Sequence, residues 1–150
     1  MTQGYKMMVN EGGYLKTGLL ACVCLLFAAC MGSPGADAGR QVAERYYQTM
    51  QQTDIDAALK LFSDNRAPEF WRSHLHNIAE SLGAVKRFEY KREEVNTVFS
   101  GRYYIFEYQV VYESGKQAKE TLTLFDSVEA DDHPRIAAHV IAAEGFKPSL

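Results

Sequence analysis

Two periods divide this chain. Up to about residue 82 the apolar side chains return every three or four positions, and beyond residue 84 they return every second one. Val42, Tyr46, Thr49 and Met50 predict a first helix over about 37–52. Thr53 or Asp54 then offers a cap for a second helix, with Asp56 on its positive end and Ile55, Ala58, Leu59 and Phe62 as its apolar face. Residues 63–66 are polar and read as a loop. Pro68 opens a third helix at the one turn where a missing N–H costs nothing, and Gly83 closes it. Trp71, His74, Leu75, Ile78, Ala79 and Leu82 form the buried stripe of that helix.

The second half reads as four strands. Phe88 and Tyr90 alternate with Arg87, Glu89 and Lys91, and Ser100-Gly101 makes a turn. Tyr104, Phe106, Tyr108, Val110 and Tyr112 share one face of the next strand. Ser114-Gly115 turns the chain into a third strand over about 118–128, with Leu122 and Leu124 on one side. An acidic loop over 129–134 leads to a last strand, 136–142, which is apolar on both faces and is expected to be central or well covered. Consecutive hairpins imply a mostly antiparallel sheet, so the fold class is α+β, with N-terminal helices packed on a curved four-stranded sheet.

Before all of this stands an apolar run, 18–29, preceded by Lys6 and Lys16 and followed by Met31-Gly32-Ser33-Pro34-Gly35. It is shorter than the ~20 residues a membrane-crossing helix needs, and its three-part order is that of a secretory signal peptide. Leu26-Phe27-Ala28-Ala29-Cys30 resembles a bacterial lipobox. That resemblance implies cleavage before Cys30, a lipid on its sulfur, and sorting to the outer membrane, facing the periplasm. The expected organisation is a signal peptide over 1–29, a lipidated cysteine and tether over 30–36, one domain over 37–146, and a tail over 147–150. Cys22, Cys24 and Cys30 are the three cysteines, so the domain itself carries neither a disulfide framework nor a thiolate site. Past Cys30 the 16 Lys and Arg of the whole chain less Lys6 and Lys16, against 19 Asp and Glu less Glu11, leave a net charge of −4. A weakly acidic domain lacks the basic face that nucleic acid requires, and acidic side chains gain nothing from anionic headgroups. The lipid is then the only expected attachment to the membrane.

The paired opening helices, Trp71 with Leu82-Gly83, Arg87, Gly101-Arg102-Tyr103-Tyr104 and Glu120-Thr121-Leu122-Thr123-Leu124 together resemble the NTF2-like (cystatin-like) superfamily, and within it the small exported domains of unknown function. The resemblance spans 37–146. It implies a sheet curved into a cone that can hold a small apolar molecule, with Phe88, Tyr90, Tyr104, Phe106, Tyr108, Tyr112 and Trp71 as the ligand surface. The same residues can equally be plain core. The short strand pair that such folds often place between their second and third helices has no room in residues 63–67.

Chemistry is sparse. His74 and His76 are two apart on a helix, about 200° around it, so they cannot share a ligand. His74 reads as a core histidine, while His133 and His139 lie in the acidic loop and the last strand. No spacing matches a zinc or calcium motif, and no cofactor is implied. Isomerases and dehydratases of this fold use a buried carboxylate with tyrosine or acid donors. Glu107 and Glu120 are the candidates, but Glu107 points away from Tyr108, and the threonines after Glu120 suggest a wet face. Neither is expected on the tyrosine face. The run Lys86 to Glu94 reads as a solvated strand edge or as a docking edge for a partner. The expected function is therefore a lipid-anchored envelope protein, not an enzyme, acting through a protein partner or a homodimer formed by the sheet. A cone ligand is the alternative, and isomerase or dehydratase chemistry the third reading.

Overall fold

The computed structural model describes residues 34–129 and 134–147. The leader, Cys30 and the loop residues 130–133 therefore lie outside the described residues. Three helices, α1 (Pro34–Gln51), α2 (Ile55–Leu59) and α3 (Pro68–Leu82), precede four strands, β1 (Val85–Val98), β2 (Gly101–Tyr112), β3 (Gln117–Ser127) and β4 (Arg135–Ala143). The strands are antiparallel and neighbour one another in chain order. Helices on one face of such a sheet make the α+β arrangement.

The local signals act as elementary chemistry requires. Asp54 caps α2 by accepting the Ala57 N–H at 2.9 Å. Pro68 starts α3, and Gly83, at a φ of 84°, ends it while its N–H bonds the Ala79 carbonyl. α2 is shorter than the apolar spacing predicts. A tight turn follows Leu59, and Phe62 leaves the helix to form a parallel bridge with Ile136 in β4. That bridge, with the Ile136 N–H on the Leu61 carbonyl at 2.8 Å, ties the segment between α2 and α3 to the far edge of the sheet.

Two features of the sheet differ from what the sequence pattern predicts. Between Tyr90 and Arg92 the β1 register slips by one residue at Lys91. A bulge of this kind re-aims everything beyond it. Phe88 and Tyr90 point inward before it, while Glu93 and Val95 pair with the inward Phe106 and Tyr104 after it. β4 is also not central: it is an edge strand, because a chain of consecutive hairpins leaves its last strand outermost. Its inward Ile136, His139 and Ile141 are buried, whereas Val140 on the outer face is 60% exposed. The core lies between α1, α3 and the inner face of the sheet, and joins Tyr46, Tyr47, Met50, Leu75 and Ile78 to Phe106, Val110, Leu122 and Leu124.

Candidate functional site

The inner face of β2 carries Tyr104, Phe106, Tyr108, Val110 and Tyr112, and α1 lies directly on it. Gly39 makes the approach possible, since a β-carbon there would sit 3.1 Å from the Phe106 ring. Tyr47 enters the sheet, with its ring centroid 4.7 Å from Tyr108 and 4.9 Å from Phe88. Tyr90 is half-buried at the margin, under the Arg40 guanidinium, which also pairs with Glu93 at 2.6 Å. Glu93 thereby holds the Arg40 pKa above its ordinary value. Tyr104, Phe106, Tyr108 and Tyr112 are all 1% exposed or less. The aromatic residues that read as a ligand surface are thus packed against a helix. Trp71 belongs to a different group, against Phe62 and Phe70, with its indole N–H on the Ser63 carbonyl at 3.2 Å.

A buried polar array lies at the other end of this face. Glu120 is fully buried. One of its oxygens accepts from the Tyr112 hydroxyl, and the other lies 2.9 Å from His139 Nε2. A carboxylate can only accept, so His139 Nε2 carries the proton of that bond. Its other nitrogen, Nδ1, lies 3.2 Å from His74 Nε2 and 3.3 Å from the Tyr46 hydroxyl. Burial, with His139 adding a second unfavourable influence, pushes the His74 pKa down to about 4. Burial raises those of Tyr46 and Tyr112, and the Glu120 charge raises them further. Three strands and two helices supply the parts: Tyr112 from β2, Glu120 from β3, His139 from β4, His74 from α3 and Tyr46 from α1.

The expected outward position of Glu120 is therefore corrected. Tyr108 pairs with Glu120 and Val110 with Ala118, so even-numbered residues of β2 and β3 share the inner face. The threonines at 121 and 123 are the half-buried outer row, which itself puts 120, 122 and 124 inside. His139 and Tyr46 were also missed as polar participants. The available signal was hairpin arithmetic about the Ser114-Gly115 turn, which fixes the pairing from the turn position alone.

Against the array, a cleft of about 260 Å³ is lined by Arg66, Phe70, Trp71, His74, His139 and Val140. Arg66 stands over the Phe70 ring at 4.5 Å. A neighbouring groove of about 590 Å³ runs past Phe62, Trp71 and Phe125. Among the described residues no group of three or more His, Cys, Asp or Glu side chains is placed to hold a metal ion, and no helix is long and apolar enough to cross a membrane.

No family model matches the sequence, and no curated protein does. Solved structures do match its shape. A protein of unknown function with a cystatin-like fold from Nostoc punctiforme superposes with a TM-score of 0.59 at 10% identity, over 77% of this chain and 95% of that one. Bd1075 of Bdellovibrio bacteriovorus superposes with a TM-score of 0.50 at 11% identity, over 71% of this chain. This chain spans 41% of the length of Bd1075. At such identities the likeness concerns architecture: the domain has a cystatin-like fold.

Proposed function

We propose that this chain is a lipid-anchored protein of the bacterial envelope whose domain acts through contacts with another protein and not by catalysis. The observation that carries the non-catalytic part is the closure of the polar array. Both Glu120 oxygens and both His139 ring nitrogens are engaged by the chain's own side chains. A general base needs a lone pair facing substrate, and Glu120, fully buried, turns neither oxygen to solvent. The packing of α1 on the aromatic face supports the same reading, since it fills the space that a cone ligand would take.

The outer face of the sheet is the surface best suited to a partner or a second copy. Tyr103 packs at a tilt against Phe125 there, with ring centroids 4.6 Å apart, and Glu107 bridges Arg92 and Lys119. Address rests on the leader and on Cys30. Replacing Cys30→Ser should leave the chain in the soluble fraction without the acyl mass that the unaltered protein carries. Unchanged fractionation and unchanged mass would sink the anchoring. In vivo crosslinking from the outer face tests the rest, and should capture one specific envelope protein or a homodimer; capture of neither refutes the protein-contact reading. A second reading, a small ligand handled by acid–base chemistry, is favoured by one observation: His74 and His139 line a cleft with a buried carboxylate behind them.

A further inference from the structure

Exposed apolar side chains are not scattered over this domain. Among the described residues the large ones are Val95, Val98, Phe99, Val128 and Val140, and four of the five lie at one end of the sheet. Phe99 occupies the turn between β1 and β2 and is wholly in solvent, at 103% relative exposure. Val98 precedes it at 43%, and Val128 at 72% is held beside the same turn by its N–H on the Ser100 carbonyl at 3.1 Å. Val95, paired with Tyr104, extends the patch onto the inner face.

The first turn of α1 lies at that same end. A β-carbon on Gly35 would run into the Tyr104 hydroxyl and sit 3.5 Å from the Arg102 guanidinium. From Arg102 to Phe99 is three residues, about 10 Å at ~3.3 Å per residue of strand. Five residue-to-residue steps lead from Cys30 to Gly35, at most about 18 Å of chain. Any surface that holds a lipid on Cys30 is therefore within reach of the Phe99 turn.

We propose that the β1–β2 turn is a membrane-contacting wedge: Phe99, flanked by Val98 and Val128, enters the headgroup boundary of the bilayer that holds the Cys30 lipid. The proposal rests on the anchoring proposed above and adds an orientation to it. Its shape favours lipid over protein, because a protruding turn of a few side chains is far smaller than the ~800 Å² per partner of a stable protein interface. A disordered, deformable boundary accepts such a protrusion without a matching groove. Entry is shallow, since the exposed Glu129 beside Val128 must keep its charge in water. Acyl chains already supply the affinity. The wedge fixes which way the domain faces, leaving the outer sheet and the opposite end of β2 turned to the periplasm.

The test uses the absence of cysteine beyond Cys30. Phe99→Cys, and as a control Ser114→Cys at the opposite end of β2, each carry one environment-sensitive fluorophore in the full chain, acylated in a bacterial host and reconstituted in phosphatidylethanolamine–phosphatidylglycerol vesicles. The expected result is a blue shift at position 99 with strong quenching by lipid-borne nitroxides, at least several-fold above position 114, and protection from aqueous iodide. Equal iodide quenching at both positions overturns the wedge while leaving the anchoring intact. Protection from iodide without nitroxide quenching also overturns it, in favour of a protein occupant. Absence of acyl mass on Cys30 is read independently by mass spectrometry and removes the anchoring, and the wedge with it.

Discussion

Burying the Glu120 carboxylate would cost several kcal/mol if it stood alone. Tyr112 and His139 offset that cost by donating to its two oxygens, and His74 and Tyr46 hold the His139 ring in place from its other nitrogen. His74 makes the array sensitive to acid. Its folded pKa is lowered to about 4 from the ordinary 6.5. As pH falls below 6.5 the unfolded chain therefore takes up a proton that the native state refuses until near pH 4. Stability contributed by the neutral ring is fully present above pH 6.5 and is lost between 6.5 and 4, by about 3 kcal/mol at most. The urea midpoint should fall across that window, and His74→Gln should flatten the slope because its amide does not titrate. An equally steep fall in the variant would place the acid sensitivity elsewhere.

At the scale of elements, the hairpin of β1 and β2 is pinned by a close approach. A β-carbon on Gly101 would stand against the Asp126 carbonyl, an unyielding backbone atom, and 2.9 Å from the Phe125 ring. Gly101→Ala should cost about 1–3 kcal/mol in urea denaturation, whereas Gly115→Ala meets nothing within 4 Å and bears only the strain of its φ of 83°. Element boundaries were legible wherever one residue type decides them, as at Pro68 and Gly83, and the five-residue inner face of β2 was legible because alternation survives along it. The bulge at Lys91 was not. A charged residue between charged residues looks the same whether it is paired or bulged, so the inward turn of Glu93 and Val95 had no signature. Glu120 was legible in principle, from its pairing about the turn, but the sheet partner that buries it is specified by hydrogen bonds rather than by its own neighbours. The closure of the array over α1 and α3 depends on tertiary packing alone.

The molecule as a whole is built on α1. Ala43, Tyr46, Tyr47 and Met50 are each 1% exposed or less, and they close the sheet face that β2 and β3 leave open. Losing Tyr46, Tyr47 and Met50, at about 2–5 kcal/mol each, is as large as the roughly 5–15 kcal/mol that holds a typical domain together. A chain beginning at Thr53 should retain strand signal in far-ultraviolet circular dichroism at most. It should lose its near-ultraviolet signal and bind a hydrophobic dye, whereas a chain beginning at Met31 should unfold in one sharp transition. A shortened chain with intact near-ultraviolet bands would refute the central place given to α1. By the same dependence, a cut inside α1 would remove core side chains along with everything before it.

The tyrosines of this interior look alike in the sequence and are not alike in role. Among the described residues the hydroxyls of Tyr47, Tyr104 and Tyr108 have no hydrogen-bond partner, while those of Tyr46 and Tyr112 complete the array around His139 and Glu120. A buried hydroxyl without a partner is a burden, and one that serves a carboxylate is a necessity. Descendants of this chain are therefore free to exchange the first three for phenylalanine, even with some gain in stability, and are not free to exchange the other two. The interior thus holds a set of positions where sequence can drift at no cost to the fold, beside Tyr112, where the loss of one oxygen atom takes a donor from a buried carboxylate, and Tyr46, where it takes a partner from His139.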